Sequence, residues 1–481
     1  MFTSAEGRPI SMSVTEDILG LKDLIVTNRA IEKIDGVDML VISCKYADDL
    51  RPCCPKCGSL NSHRHAHREK DIRDIDISGQ HVILRIDAIN YLCQDCGATF
   101  TKETKMVDPG DRITKRFKTF LGEKSIETTF EKIGRDYHLS HTTISNAFRD
   151  WVKKQDSKHD KSIYAPRILG IDENHLADEP RGVFVDVTNA KLLDIVKDRY
   201  KSTIMDWLRE MKNPDELEIV TIDMWAPYRD AVKEVFHGRV RVVVDHYHVI
   251  QELQKQFQKC RNNITADLPN GSLKPYKNYI SLLKMNLEDL TDEQKKRLGA
   301  FLNEFPDIRT AYALKESFRA IYRCTNRQDA EDGFDSWMEQ IPEDKKFNPF
   351  RSVADTVNNW RTEIFNYFEE PITNAVTETM NGIIKKINRD GNGYSYEVLR
   401  AKALYSHGND AYTSVCVGGT SCSYTTSYAF DMVFFGQDKS KKRPSYSGNR
   451  NIYEHHFGVD IEQMKEEVFG GIFFKKEDDD Q

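Results

Sequence analysis

The sequence contains no apolar run approaching the ~18–20 residues that a membrane-spanning helix needs. Its opening stretch, MFTSAEGRPISMSVTEDILG, lacks a basic end followed by an apolar core, which removes the pattern of a secretory leader and sets the expectation of a cytoplasmic protein with no membrane partner. No segment repeats with a period of about 20–50 residues, which excludes a solenoid. Charge of one sign is also scarce: the formal net charge is −7, so the chain does not coat nucleic acid along its whole length, and phosphate contacts must come from local patches. Of the ten cysteines, four stand in two CxxC pairs and the rest are scattered, which suits a reducing compartment with a metal site better than a disulfide framework.

What is present is an ordinary globular composition, 39% hydrophobic and 30% charged over 481 residues, enough for about two to four domains. Residues 1–50 carry two apolar stretches, ILGLKDLIV and VDMLVIS, within an acidic N-terminal segment. Residues 51–105 form a cysteine-bounded module containing the strand-like alternation HVILRIDAINYL. Residues 112–155 read as helical, and from 166 to 249 strands alternate with helices: RILGIDE, GVFVDVTN, LLDIVKD, ELEIVTIDM and RVRVVVDHYHV are five strands of a mixed α/β sheet. Strand signals nearly vanish over 250–370, where amphipathic segments such as VIQELQKQFQKC read as an all-helical insertion. The α/β pattern resumes over 371–405 with a helix at about 374–389, and 406–481 form a C-terminal extension of open role.

Cys54, Cys57, Cys93 and Cys96 make two knuckles, each followed by Gly, which together close a four-sulfur structural zinc site; a redox dithiol is the alternative. His63, His65 and His67 alternate along a strand, as further ligands, phosphate contacts or an exposed polar face. In TTFEKIGRDYHLSHTTISNAFRDWV, a helix through Arg135, a turn at Tyr137 to Ser140 and a second helix capped by Ser140 make a helix-turn-helix or a plain helical pair. In the first case His141, Thr142, Ser145, Asn146 and Arg149 face DNA.

Asp172 ends the first strand of the α/β region and Asp223 the fourth. If those strands are neighbours the two acids lie side by side, an arrangement that repels unless a divalent cation sits between them. In TNAVTETMNGIIKKINRDGNG, with Thr373 as cap, Glu378, Asn381 and Lys385 fall on one helical face that is acidic, then amide, then basic. Asp245 also ends a strand and is the rival second carboxylate, while His246 and His248 follow it in support. Lys385, Lys386, Arg389, Arg400 and Lys402 make the late region basic, either a surface that tracks a DNA backbone or a solvated helix face. Trp225, Trp337 and Trp360 are either stacking platforms for bases or core residues.

In order and motif, from the zinc ribbon and helix-turn-helix through GIDE, IDMWAPYRDAV, VDHYHV and NAVTETMNGIIKKINR, residues from about 50 to 405 resemble the ISL-three group of bacterial insertion-sequence DDE transposases. The residues after Glu378, Thr379-Met380-Asn381-Gly382, depart from the group's pattern. The resemblance implies a multidomain α/β protein: a ribonuclease-H-like mixed sheet with a large all-α insertion, preceded by a zinc ribbon and a helix-turn-helix. It implies a catalytic triad at Asp172, Asp223 and Glu378 holding two Mg²⁺ ions, with Mn²⁺ a substitute. It also implies double-stranded DNA partners at element ends and target, a homodimer or higher assembly on DNA, and action at the bacterial nucleoid. The competing readings are a catalytically inactive zinc-dependent DNA-binding regulator and a ribonuclease-H-like nuclease without strand transfer.

Overall fold

The computed structural model describes residues 19–158, 162–176, 179–269 and 279–407. These fall into two compact units, one made by the described residues up to Lys161 together with Arg389–Ser406, the other by Ser162–Asn388. The extension expected over 406–481 lies almost wholly outside the described residues.

In the first unit, β1 (Leu24–Ile34) and β2 (Val37–Tyr46) form an antiparallel hairpin, as do β3 (Ser62–Ile77) and β4 (Gln80–Cys93). Both turns take two residues with left-handed backbone, Asp35-Gly36 and Ser78-Gly79, which match the twist of the flanking strands. β2 then pairs in parallel with β4, and β5 (Thr99–Thr101) adds to the knuckle end of β4, giving the order β1-β2-β4-β3. The sequence set residues 1–50 apart from the ribbon. The structure instead seats Leu24, Ile42 and Cys44 in one core with Ile72, Val82, Leu84 and Ile86, because the β4 alternation has an apolar face that its own hairpin cannot cover.

Three helices follow: α1 (Lys115–Glu127), α2 (Phe130–Tyr137) and α3 (His141–Asp156), capped by the hydroxyls of Thr114, Thr129 and Ser140. α2 stops because His138 turns left-handed at φ 51° and ψ 48°. Ile133, Ile144, Phe148 and Trp151 fill the space between the helices, and Gly122 is required there, since a Cβ on it would come within 2.3 Å of the Trp151 side chain. The last helix of the described chain, α13 (Tyr396–His407), was expected to belong to the α/β core; it packs here instead. Buried Lys402 explains why: its ammonium caps the end of α1 by donating to the carbonyls of Ser125 and Thr128, and it stands over the rings of Phe130, Phe148 and Tyr394. Lys402 is therefore not part of an exposed basic surface.

In the second unit β6 (Ile168–Leu176), β7 (Glu179–Asp186) and β8 (Lys191–Ile195) run as an antiparallel meander. β9 (Ile219–Ile222) and β10 (Arg241–Val244) add in parallel on the other side of β6, giving the order β10-β9-β6-β7-β8. β9 and β10 are short and buried on both faces, as strands covered by helices must be. α4 (Lys201–Arg209) lies between β8 and β9 in sequence, and α5 (Ala226–Phe236) between β9 and β10.

The helical insertion starts directly at the end of β10 with α6 (His246–Ala266). It continues through α7 (Asp292–Glu304), α8 (Pro306–Ile321), α9 (Arg327–Glu339), α10 (Asn348–Asn359) and α11 (Arg361–Phe365). Its Phe257, Phe301, Phe318 and Trp337 belong to the same apolar core as Ile171, Val220 and Val244 of the sheet, so the insertion is built onto the sheet. Trp337 and Trp360 are core residues. α12 (Ala375–Asp390) returns the chain to the sheet.

Candidate active site and nucleic-acid interface

At the knuckles, the four cysteine sulfurs all lie within 4.8 Å of one another, and the cross-pairs Cys54–Cys96 and Cys57–Cys93 are each 3.6 Å apart. A tetrahedral ion bound at about 2.3 Å holds its sulfurs ~3.8 Å apart, so the four thiols fit zinc without rearrangement. His63, His65 and His67 are exposed on β3 and outside this cluster; His67 faces Asp87 at 3.1 Å, which is the polar-face reading of that strand.

The α/β sheet presents its acids differently. The parallel register sets Ile171 of β6 opposite Ile222 of β9, so Asp172 and Asp223, the residues that follow them, lie side by side. Asp172 was expected to end its strand but sits in the middle of β6, which runs on to Leu176 paired with β7, while Asp223 is the first residue past β9. Asp172 is 9% exposed and held at both oxygens: the Glu173 amide donates to Oδ1 at 2.7 Å and Asn381 Nδ2 to Oδ2 at 2.9 Å. Burial raises its carboxyl above the usual range. Asp223 is pushed up to about 6 by burial and then by the Asp172 charge, and its Oδ1 is buried with no hydrogen-bond partner.

Glu378 sits in the first turn of α12 with its side chain 41% exposed, and His248 Nε2 approaches its Oε1 to 3.7 Å. Its carboxyl is raised by burial and by the charges of Asp245 and Asp172. Among the described residues the cysteines are the group whose ligand atoms all converge within 4.8 Å; Asp172, Asp223 and Glu378 do not meet that closeness.

Asp245 is already engaged. It follows β10, one strand further from β6, as the cap of α6, and its oxygens accept the amides of Tyr247 at 3.0 Å and Asn374 at 2.9 Å, with His246 Nδ1 3.2 Å away. Burial works against its charge, yet these contacts hold its carboxyl below the usual range. Asn374, rather than Thr373, immediately precedes α12, and its Oδ1 also accepts the Thr221 hydroxyl. The face expected to carry Glu378, Asn381 and Lys385 is split: Glu378 and Lys385 are exposed, as are Lys386 and Arg389, while Asn381 is buried and spent on Asp172 and Asn174.

On α3, His141, Thr142, Asn146 and Arg149 are exposed, as a DNA-facing helix requires. Ser145 corrects the expectation. It is buried, because at ~100° per residue it falls on the shoulder of the apolar stripe through Ile144, Ala147 and Phe148 rather than opposite it. Exposed Lys153 continues the stripe of Thr142, Asn146 and Arg149 and was not foreseen.

Residues 169–403 match the family model of the DDE transposases of the ISL3 group, residues 50–96 that of the zinc finger of the IS204/IS1001/IS1096/IS1165 transposases, and residues 103–152 that of the helix-turn-helix domain of transposase family ISL3. The chain belongs to the ISL3 family of transposases. A curated relative, the transposase for insertion sequence element IS1001 of Bordetella parapertussis, is 21% identical over 364 residues, spanning 73% of this chain and 88% of the relative. The transposase thus carries a DNA-binding helix-turn-helix and a zinc ribbon whose four cysteines support a structural zinc. Among the described residues no helix is long and apolar enough to cross a membrane.

Several residues around the acids went unforeseen. Glu173 bonds Arg199 and lies 2.6 Å from His175, and the Arg199 guanidinium stacks on Trp225 at 4.4 Å. Strand alternation sends Glu173 to the face opposite Asp172, a signal the sequence did contain. Gly170 and Thr377 mark where α12 touches β6, since a Cβ on Gly170 would fall 2.1 Å from Thr377 Oγ1. No sequence pattern pairs residues so far apart in the chain.

Proposed function

We propose that this transposase binds the terminal inverted repeats of its element through the zinc ribbon and helix-turn-helix, and cleaves and rejoins DNA at Asp172, Asp223 and Glu378. The observation that carries the reading is the placement of Asp172 and Asp223 directly after the register-paired Ile171 and Ile222 of adjacent parallel strands, with a buried Asp223 oxygen that nothing in the protein satisfies. Two buried carboxylates side by side, each raised by burial and Asp223 further by the charge of Asp172, are a poor arrangement for stability and a good one for a hard divalent cation. Asp172, Asp223 and Glu378 are the residues that would hold Mg²⁺, two ions being expected and Mn²⁺ able to replace them. Cations bound there would supply positive charge to the attacking and leaving oxygens of a phosphodiester.

The chain's own residues divide the remaining work. Asn381 and the Glu173 amide fix the Asp172 carboxylate, so this acid is set before DNA arrives. Glu378, exposed on its helix beside His248, is the acid left to adjust when cation and DNA are in place. Lys385, Lys386 and Arg389 on the same helix are exposed cations suited to a DNA backbone. Because two element ends must be brought together, at least a dimer is expected on DNA, acting at the bacterial nucleoid.

The test uses a plasmid bearing the element with both ends, purified full-length protein and Mg²⁺. Wild type cuts at the ends and joins them to a target plasmid, whereas Asp172→Ala binds the same ends without cutting. Wild type that binds but never cuts is a regulator, and one that nicks without joining is a nuclease; either result overturns the proposal. Light scattering of the DNA complex gives the assembly, and one chain on two ends contradicts the dimer.

A further inference from the structure

The first unit contains a cleft of about 530 Å³ beside the helix-turn-helix, one wall formed by α3 and the other by the loop that leads from the ribbon into α1. Its lining holds five cations, Arg73, Arg112, Lys118, Arg149 and Lys153, against two carboxylates, Asp111 and Asp150. The carboxylates are not available to balance the rest. Lys118, 8% exposed at the edge of the cleft, binds both, Asp111 at 2.7 Å and Asp150 at 2.6 Å. Burial pulls Lys118 down, but these two bonds carry it above the ordinary lysine range, so it stays charged and the acids stay occupied. Arg112, Arg149 and Lys153 are exposed, and among the described residues none of them has an ion-pair partner. Three exposed cations thus line one cleft whose two carboxylates are engaged by Lys118, an arrangement that favours an anion.

The loop is also fixed in place. Its Arg112 carbonyl accepts the Arg73 amide at 2.9 Å and the Thr114 amide returns to the Arg73 carbonyl at 2.9 Å, tying it to β3, while Lys118 pins Asp111 to α3 through Asp150. Arg112 is therefore presented beside the exposed Asn146 and Arg149 by a braced backbone.

We propose that this cleft seats one sugar-phosphate strand of duplex DNA, Arg112 of the loop and Arg149 and Lys153 of α3 neutralising its phosphates, so that the ribbon-to-helix connection is part of the DNA-binding face. The proposal rests on the helix-turn-helix binding DNA and adds which chemistry meets it and a segment outside the two helices. Elements flanking a groove-reading helix meet the backbone rather than base edges, and a phosphate contact leaves a signature: each one lost lowers the slope of log Kobs against log salt by about 0.9.

The experiment is fluorescence anisotropy of the full-length zinc-loaded protein with a random-sequence duplex of about 30 base pairs, titrated over salt. Arg112→Gln is expected to weaken binding and lower the slope by about 1, Lys153→Gln to do the same, and the pair to lower it by about 2, with circular dichroism and melting unchanged. An Arg112→Gln slope equal to that of wild type, while Arg149→Gln lowers it, removes the loop from the interface and overturns the proposal with DNA binding intact. An Arg112→Gln protein that keeps the slope but loses discrimination among sequences makes the residue a base reader, which also overturns it. Wild type without salt-dependent duplex binding would defeat the underlying reading instead.

Discussion

The knuckle end of the ribbon and the acid end of the α/β sheet both gather metal-binding side chains, but to different degrees. The four cysteines have already converged. At the sheet, two acids stand side by side, one within β6 and one just past β9, while the third lies on an exposed helical turn. The cysteine sulfurs pack in cross-pairs at 3.6 Å, and short turns in one sheet bring them there. Carboxylates repel, and their positions depend on pairing β6 with β9 and on docking a helix from more than 150 residues further along the chain. The first arrangement suits a permanent structural ion, and the second a site completed by substrate and cation together.

Zinc removal should have the largest effect. Structural zinc contributes about 10–16 kcal/mol in small modules, and the knuckles have little apolar core of their own. Cys54→Ser or chelation is expected to drop zinc content from one per chain to none by elemental analysis and to open residues 50–61 and 93–101 to protease. The β1–β4 core persists, because its apolar residues lie further along the hairpins. Full protection of the knuckles without zinc would show that they hold themselves together.

Next comes Asp223→Asn. Removing a charge from the acid pair should lower strand cleavage at least about a thousand-fold, ~4 kcal/mol of barrier. Stability should move the opposite way. Asp223 in the fold titrates at about 6, above its ordinary value, so the folded protein keeps a proton that the unfolded chain has released. Stability of the metal-free protein therefore falls as pH rises from about 4 to 6, and the loss is complete above that window, at most about 3 kcal/mol. Asp223→Asn should melt higher than metal-free wild type at pH 7 and lose that pH dependence. A variant that melts lower would mean that the pair is not strained.

Much of this was legible in the sequence, for identifiable reasons. Five strands could be read from their apolar runs; that Asp172 and Asp223 are neighbours rested on the first and fourth strands being adjacent, which they are, although Asp172 proves to lie within its strand rather than at its end. Ser140 declared itself as a cap, and both CxxC pairs carried their chemistry in four residues. What could not be read was set by long-range packing. Ser145 looked exposed until the helix was seen to roll it onto the shoulder of the core, and Lys402 looked like a surface cation until three rings enclosed it. Asp245 rivals Asp223 in the sequence because both follow strand-like runs, and only the inferred strand order favours Asp223. Their difference lies in the Asn374 amide, which reaches Asp245 from 129 residues away.

Asp245→Asn sharpens that difference. The carboxylate accepts two backbone amides, one opening α6 and one just before α12, so a single side chain sets the spacing between His248 and Glu378. Asparagine keeps the shape but turns a donor toward one amide. Displacing a supporting contact of this kind costs about 10–100-fold. The expected result is a lower kcat, little change in KM for DNA, and partial recovery at higher Mg²⁺. A loss as complete as that of Asp223→Asn at every Mg²⁺ concentration would make Asp245 a metal ligand and reverse the assignment.

The smallest effect tests whether α12 must sit where it does. A methyl on Gly170 would meet Thr377 Oγ1 at 2.1 Å, and neither residue is among the proposed metal-holding acids. Gly170→Ala should push α12 away from β6, costing about 1–3 kcal/mol in stability and lowering cleavage through Glu378 and Asn381. Thr377→Ala makes room at little cost, because the Thr377 hydroxyl is buried without a hydrogen-bond partner. The double variant should therefore recover stability and cleavage together, which a thermodynamic cycle measures directly. Recovery of stability without cleavage would mean that the helix position is not what sets the third acid, and the two metal-binding ends would then differ in more than their degree of convergence.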